Sequence, residues 1–151
     1  MADRYAAAGS QDVTITPGDS VLGVVGVTTI RGRIYDMMWG SIGTPADNEV
    51  QWLVRRSTDL GTEGSAVVGQ PLDDGAPTAL TLASTNYSVE PAMAAGSEII
   101  DIGLNQRASW RWVAAPEGEI VMTADAAVAI VITPIGPASV GVVTATAHWV
   151  E

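Results

Sequence analysis

The chain contains no cysteine, no phenylalanine and no lysine, and a single histidine; its seven cationic side chains are all arginine. Without cysteine there is neither a disulfide framework nor a thiolate nucleophile. One histidine with no cysteine beside it cannot assemble the usual zinc ligand set. No P-loop, GxGxxG turn or GxSxG nucleophile elbow occurs. Long apolar runs are missing as well: the strongest, 21–27 and 126–132, are far too short to span a bilayer. The opening residues, MADRY, show no cationic region followed by an apolar stretch, so no secretory signal is expected. Together these absences shift the expectation from catalysis to a protein whose product is its surface. The missing lysine and phenylalanine, beside abundant Ala, Gly and Val, read as the composition of a GC-rich genome.

Basic charge is scarce too. Seventeen acids against seven arginines give a net charge of −10 and a pI near 4.2. Nucleic acid is therefore not expected as a partner, because neutralising phosphates needs clustered cations. Anionic membranes are disfavoured by the same sign. A basic patch on another protein suits such a surface better.

What remains is ample for one domain: 151 residues, 47% of them apolar. Residues 1–11 (MADRYAAAGSQ) are small and polar, show no strand alternation, and read as an N-terminal arm or a short helix leading into the domain. The domain is expected over 12–151. From Asp12 the period is two, with Val13 and Ile15 against Thr14 and Thr16. Residues 21–30 (VLGVVGVTTI) are apolar on both faces, as in a strand buried on both sides. In 33–39, Arg33, Tyr35, Met37 and Trp39 alternate with Ile34, Asp36 and Met38, and Val50, Trp52 and Val54 share one face of the next strand. Further strands are expected at 78–84, 98–104, 108–114, 119–123, 127–133 and 141–150. Two long connections, 57–77 and 85–96, are rich in turn formers. Roughly nine or ten strands with little helix imply an all-β antiparallel sandwich or barrel.

The chemistry-bearing residues are sparse. Trp110 and Trp112 point to one face of their strand while Arg107, Ser109 and Arg111 point to the other. The simplest expectation puts the tryptophans in the core and the arginines in solvent or beside carboxylates; a subunit interface on the arginine face is the sharper one. His148 lies among threonines on the last strand, opposite an apolar face of Val143, Ala145, Ala147 and Trp149, and reads as a surface or interface histidine. The acidic clusters at Asp47-Asn48-Glu49 and Asp73-Asp74-Gly75 lack the spacing of a calcium loop and read as turns.

Several stretches look familiar as a set: GRIYDMMWGSIGTPADNEVQWLVRRSTDLGTEGSAVVGQPLDDGAP, NYSVEP, LNQRASWRWVAAPEGEIVM and the closing VVTATAHWVE. From about residue 20 to the end, the chain resembles the small jelly-roll decoration (cement) proteins of tailed-bacteriophage heads. The resemblance implies a single-domain β-sandwich of jelly-roll type that carries no enzymatic activity and no cofactor. It also implies a homotrimer seated on the major capsid protein, on the outer surface of the virion. Candidate interface residues are Arg4 and Tyr5 in the arm, Val21 and Val25 in the two-faced strand, Arg55 and Arg56, Arg107 and Arg111, and His148. A trimer would account for the two-faced strand by burying it between subunits. Deleting 1–11 is then expected to leave a folded oligomer that attaches less well to capsids. The alternative is a receptor- or carbohydrate-binding jelly roll of a phage spike or fibre, with Trp39, Trp52, Trp110 or Trp112 exposed as a sugar platform.

Overall fold

The period-two pattern folds as twelve strands within residues 2–12, 18–136 and 141–151, the residues described by a computed structural model. The alternation at Val13 and Ile15 lies outside them. The strands are β1 (Arg4–Asp12), β2 (Leu22–Val25), β3 (Arg33–Ser41), β4 (Glu49–Ser57), β5 (Ser65–Val68) and β6 (Gln70–Pro71). They continue with β7 (Leu82–Thr85), β8 (Met93–Asn105), β9 (Ser109–Val113), β10 (Ile120–Val121), β11 (Ala129–Ile135) and β12 (Val142–Val150).

Two antiparallel sheets pack face to face. Sheet A runs β6-β1-β12-β3, with β9 and β10 both on the far side of β3; sheet B runs β5-β7-β2-β11-β4-β8. The pairing is nested: β1 with β12, β2 with β11, β3 with β9 and β10, and β4 with β8. Most successive strands therefore cross between sheets, and most ladders join residues far apart in sequence.

The core lies between the sheets. Along β12 burial alternates without a break, with Val143, Ala145, Ala147 and Trp149 inward as the sequence pattern requires. Trp39 of sheet A stacks on Trp52 of sheet B, ring centroids 5.9 Å apart, and Tyr5 stacks on Trp149 at 6.1 Å. Aromatic side chains each bury roughly 150–250 Å²; the first pair bridges the two sheets and the second joins neighbouring strands of sheet A.

The expected N-terminal arm is a strand. All nine residues of β1 pair with β12, and β6 pairs on its other edge. Tyr5 and Ala7 face the core at 1% and 3% exposure. The alternation is present but hidden, because Ala6, Ala7, Ala8 and Gly9 differ too little in polarity to display a period. The ladder to β12 supplies what local sequence does not.

Of the two-faced segment at 21–30, residues 21–26 are buried by their own chain on both sides, while Thr28 and Thr29 are exposed on a turn. Leu22 and Val24 enter the main core, while Val25 joins Ala129 and Val131 beneath Leu60 and Met93. Sheet B is thus roofed on its outer face by the connections around 58–64 and 86–93. That roof is pinned by Thr62 N–H donating to Val89 O (2.8 Å), Ser88 N–H to Thr62 O (2.8 Å) and Ser20 N–H to Glu90 Oε2 (2.7 Å). No partner subunit is needed to explain this strand.

Candidate functional site

A local irregularity in β3 builds a polar cluster on the outer face of sheet A. Trp149 pairs with Ile34 and His148 with Asp36, so Tyr35 is the extra residue of a β-bulge. A bulge re-aims the side chains that follow it. Ile34, Met37 and Trp39 consequently share the core face, while Asp36 turns to the outer face of sheet A. There it stands between Arg111 on β9 and His148 on β12.

Arg111 grips Asp36 with both arms of its guanidinium: Nε donates to Oδ1 at 2.9 Å and Nη2 to Oδ2 at 2.6 Å. His148 Nδ1 lies 3.2 Å from the same Oδ2, and its ring sits 6.1 Å from that of Tyr35. Although it faces outward, Asp36 is only 3% exposed, whereas the Arg111 side chain is 60% exposed. The carboxylate is held below its ordinary range, first by the hydrogen bonds from Arg111; burial opposes this and the His148 contact adds to it. Charge-assisted, bidentate geometry is the strongest form such a contact takes.

The row continues along the same end of the sheet. Arg4 pairs with Asp73 through both carboxylate oxygens, its Nε at 3.0 Å from Oδ2. Arg4 lies close enough to Tyr35 to pull its phenol down against the upward push of burial. Beside this row the outer face is short-chained: Ala6, Ala8 and Ser10 on β1 lie opposite His148, Thr146 and Thr144 on β12. Two shallow depressions open on it and meet at Thr146, one of about 390 Å³ beside Arg111 and one of about 500 Å³ over Ala6 and Ala8. Hydroxyls, methyls and one guanidinium edge around shallow, open depressions suit contact with another protein surface. A small ligand is usually enclosed by a concave pocket.

The structure separates the interface candidates into groups. Arg4, Arg111 and His148 come together on the outer face of sheet A. Arg107 is exposed on the turn between β8 and β9, with its Nε 3.4 Å from Pro45 O. Arg55 and Arg56 belong to sheet B, where Arg56 Nη2 donates to Val121 O at 2.7 Å. Tyr5, Val21 and Val25 are corrections: at 1%, 0% and 9% exposure they belong to this chain's own interior. Tyr5 also spends its hydroxyl on Pro77 O at 3.0 Å. The sugar platform loses two of its tryptophans, since Trp39 and Trp52 are 2% and 1% exposed. Asp36, the centre of the cluster, was not among the candidates. Simple alternation placed it with Ile34, and the bulge that separates them has no signature in the sequence.

Comparison with protein-family models, with curated proteins and with solved structures found no match for this chain.

Proposed function

We propose that this chain is a non-enzymatic structural protein of a virion: a jelly-roll decoration protein that sits as a homotrimer on the outer surface of a tailed-phage head and stabilises the shell. Two lines support the fold part of this reading. The sequence resembles such proteins over most of its length, and the nested strand pairing is the pattern made when one long antiparallel hairpin rolls into two sheets. The observation that carries the functional part is the outer face of sheet A. It offers a short-chained area of Ala and Thr, bordered by Arg4–Asp73 and Asp36–Arg111–His148, on a sheet whose other face is the core. Short side chains permit close approach over a wide area, and ordered polar side chains at the border supply register.

The test uses heads assembled from the capsid protein encoded nearest to this gene. Wild-type protein is expected to co-sediment with them at a copy number comparable to that of the capsid subunit. Ala8→Arg and Thr146→Arg, which place a long cation on that face, are expected to abolish co-sedimentation while leaving the thermal melt unchanged. Failure of the wild type to bind those heads overturns the reading.

A further inference from the structure

The acidic turn at 73–76 is fixed at both ends and free in the middle. Leu72 N–H donates to Arg4 O at 2.8 Å, and the Tyr5 hydroxyl donates to Pro77 O at 3.0 Å, so the start of β1 holds each end. Asp73 pairs with Arg4 at the border of the outer face of sheet A. Between these anchors a single hydrogen bond closes the turn, from Ala76 N–H to Asp73 O at 3.1 Å. Asp74 and Gly75 stand out in solvent. Neither the Asp74 carboxylate nor the Gly75 N–H has a partner among the described residues. Beyond the adjoining residues, no atom lies within 4 Å of where a Cβ on Gly75 would stand.

This combination leaves the backbone open to reaction with its own side chain. In an Asp-Gly pair the glycine nitrogen can attack Cγ of the aspartate and close a five-membered imide. A C–N bond forms, the carboxyl C–O bond breaks, and the hydroxyl leaves with the amide proton as water. Water then opens the ring. Attack at the former side-chain carbonyl restores aspartate; attack at the main-chain carbonyl leaves the chain running through Cβ and Cγ, as isoaspartate. A Cβ on the following residue hinders ring closure, and glycine has none. Asp74 is the only aspartate followed by glycine, and no asparagine is. Asp19, followed by the small Ser20, is the nearest rival. There the attacking amide is taken: Ser20 is 2% exposed and its N–H donates to Glu90 Oε2 at 2.7 Å. Asp36 and Asp101 lie inside strands. At 74, rotating into the reactive geometry gives up only the Ala76–Asp73 bond, a modest net loss at an exposed turn.

We propose that Asp74 is a self-modification site that converts to isoaspartate through an imide with Gly75, and that the change releases the Arg4–Asp73 pair. Isoaspartate lengthens the backbone path between Leu72 and Pro77, whose places are fixed. The Ala76–Asp73 bond then no longer closes, and Asp73 loses the orientation that meets Arg4. The reaction needs no capsid, so it stands apart from the decoration reading.

The purified full chain, held at physiological temperature and neutral pH for several weeks, tests this. Peptide mapping with electron-transfer fragmentation, which tells the two isomers apart, is expected to find isoaspartate accumulating at position 74 and remaining at background at Asp19. Asp74→Glu, whose imide needs a six-membered ring, is expected to lose the signal. Asp74→Asn is expected to raise it several-fold, because a neutral amide accepts attack more readily than an ionised carboxylate and expels ammonia. The isomerised fraction, separated by ion exchange, is expected to melt at a lower temperature than fresh protein, and the difference is expected to shrink in an Arg4→Ala background. Absence of isoaspartate at 74, or a level no higher than at Asp19, overturns the modification site. An isomerised fraction that melts like the fresh chain, or a difference undiminished in Arg4→Ala, overturns the release of the pair.

Discussion

The hydroxyl of Tyr87 occupies the space that a Cβ on Gly23 would need. Gly23 lies in the middle of sheet B, paired with Val131 on one side and Ser84 on the other. The missing side chain lets the roof over sheet B settle onto the strand, with Tyr87 only 8% exposed. Burial pushes its phenol up to about 12, with the nearby carboxylates of Glu90 and Glu63 adding to the effect.

Gly23→Ala is expected to destabilise the fold by about 1–3 kcal/mol through overpacking, read as a lower denaturant midpoint. The loss is expected to shrink in a Tyr87→Phe background, where the clashing oxygen is gone. Equal losses in both backgrounds would place the clash elsewhere.

Tyr87 also sets an alkaline limit. Its folded pKa, about 12, exceeds the ordinary value of 10.0, so the unfolded chain releases this proton first. The stabilisation is fully present below pH 10 and disappears as pH rises toward about 12. Denaturant midpoints measured across that window are expected to fall in the wild type and to fall less steeply in Tyr87→Phe.

Asp36 acts at the acidic end. Its folded pKa lies below the ordinary 3.8, so its contribution is complete above that value and is lost as pH falls through the lower folded one. Asp36→Asn is expected to lower stability near neutral pH by about 1–2 kcal/mol, the low side for a charged contact because Arg111 is well solvated. The variant is expected to show a shallower loss of stability below pH 4 in thermal melts. An unchanged acid profile would mean that the pair does not hold the bulge.

Removing residues 1–11 is expected to abolish cooperative folding, contrary to what an arm would do. The deletion takes almost all of β1 and exposes Trp149 and the inner edge of β12. Circular dichroism and a thermal melt check this. A truncated chain with a normal melt would show that β12 and β6 close the sheet without it.

Much of the fold was legible in the sequence. The strand at 141–150 showed its period because large and small, apolar and polar residues alternate there from Val143 to Trp149. The Trp/Arg alternation at 107–113 likewise placed the tryptophans against the core, and Arg111 found a carboxylate. β1 was illegible because alanine and glycine carry almost no polarity contrast. The short β5 and β6 were hidden inside a connection whose Gly, Asp and Pro content reads as loop. The candidate site suffered most: Arg111 and His148 were visible, but their common partner lay on the wrong face of a strand drawn without its bulge.

The amino-acid sequence by itself determined that this is an all-β chain with a strongly acidic balance and few reactive side chains, because these follow from composition and local period. Only the tertiary structure decided which apolar faces the chain covers by itself. Residues 21–26 lie under their own roof, while the β8–β9 flank stays open. That difference depends on long-range ladders and on where the 58–64 and 86–93 connections settle, which no local pattern encodes.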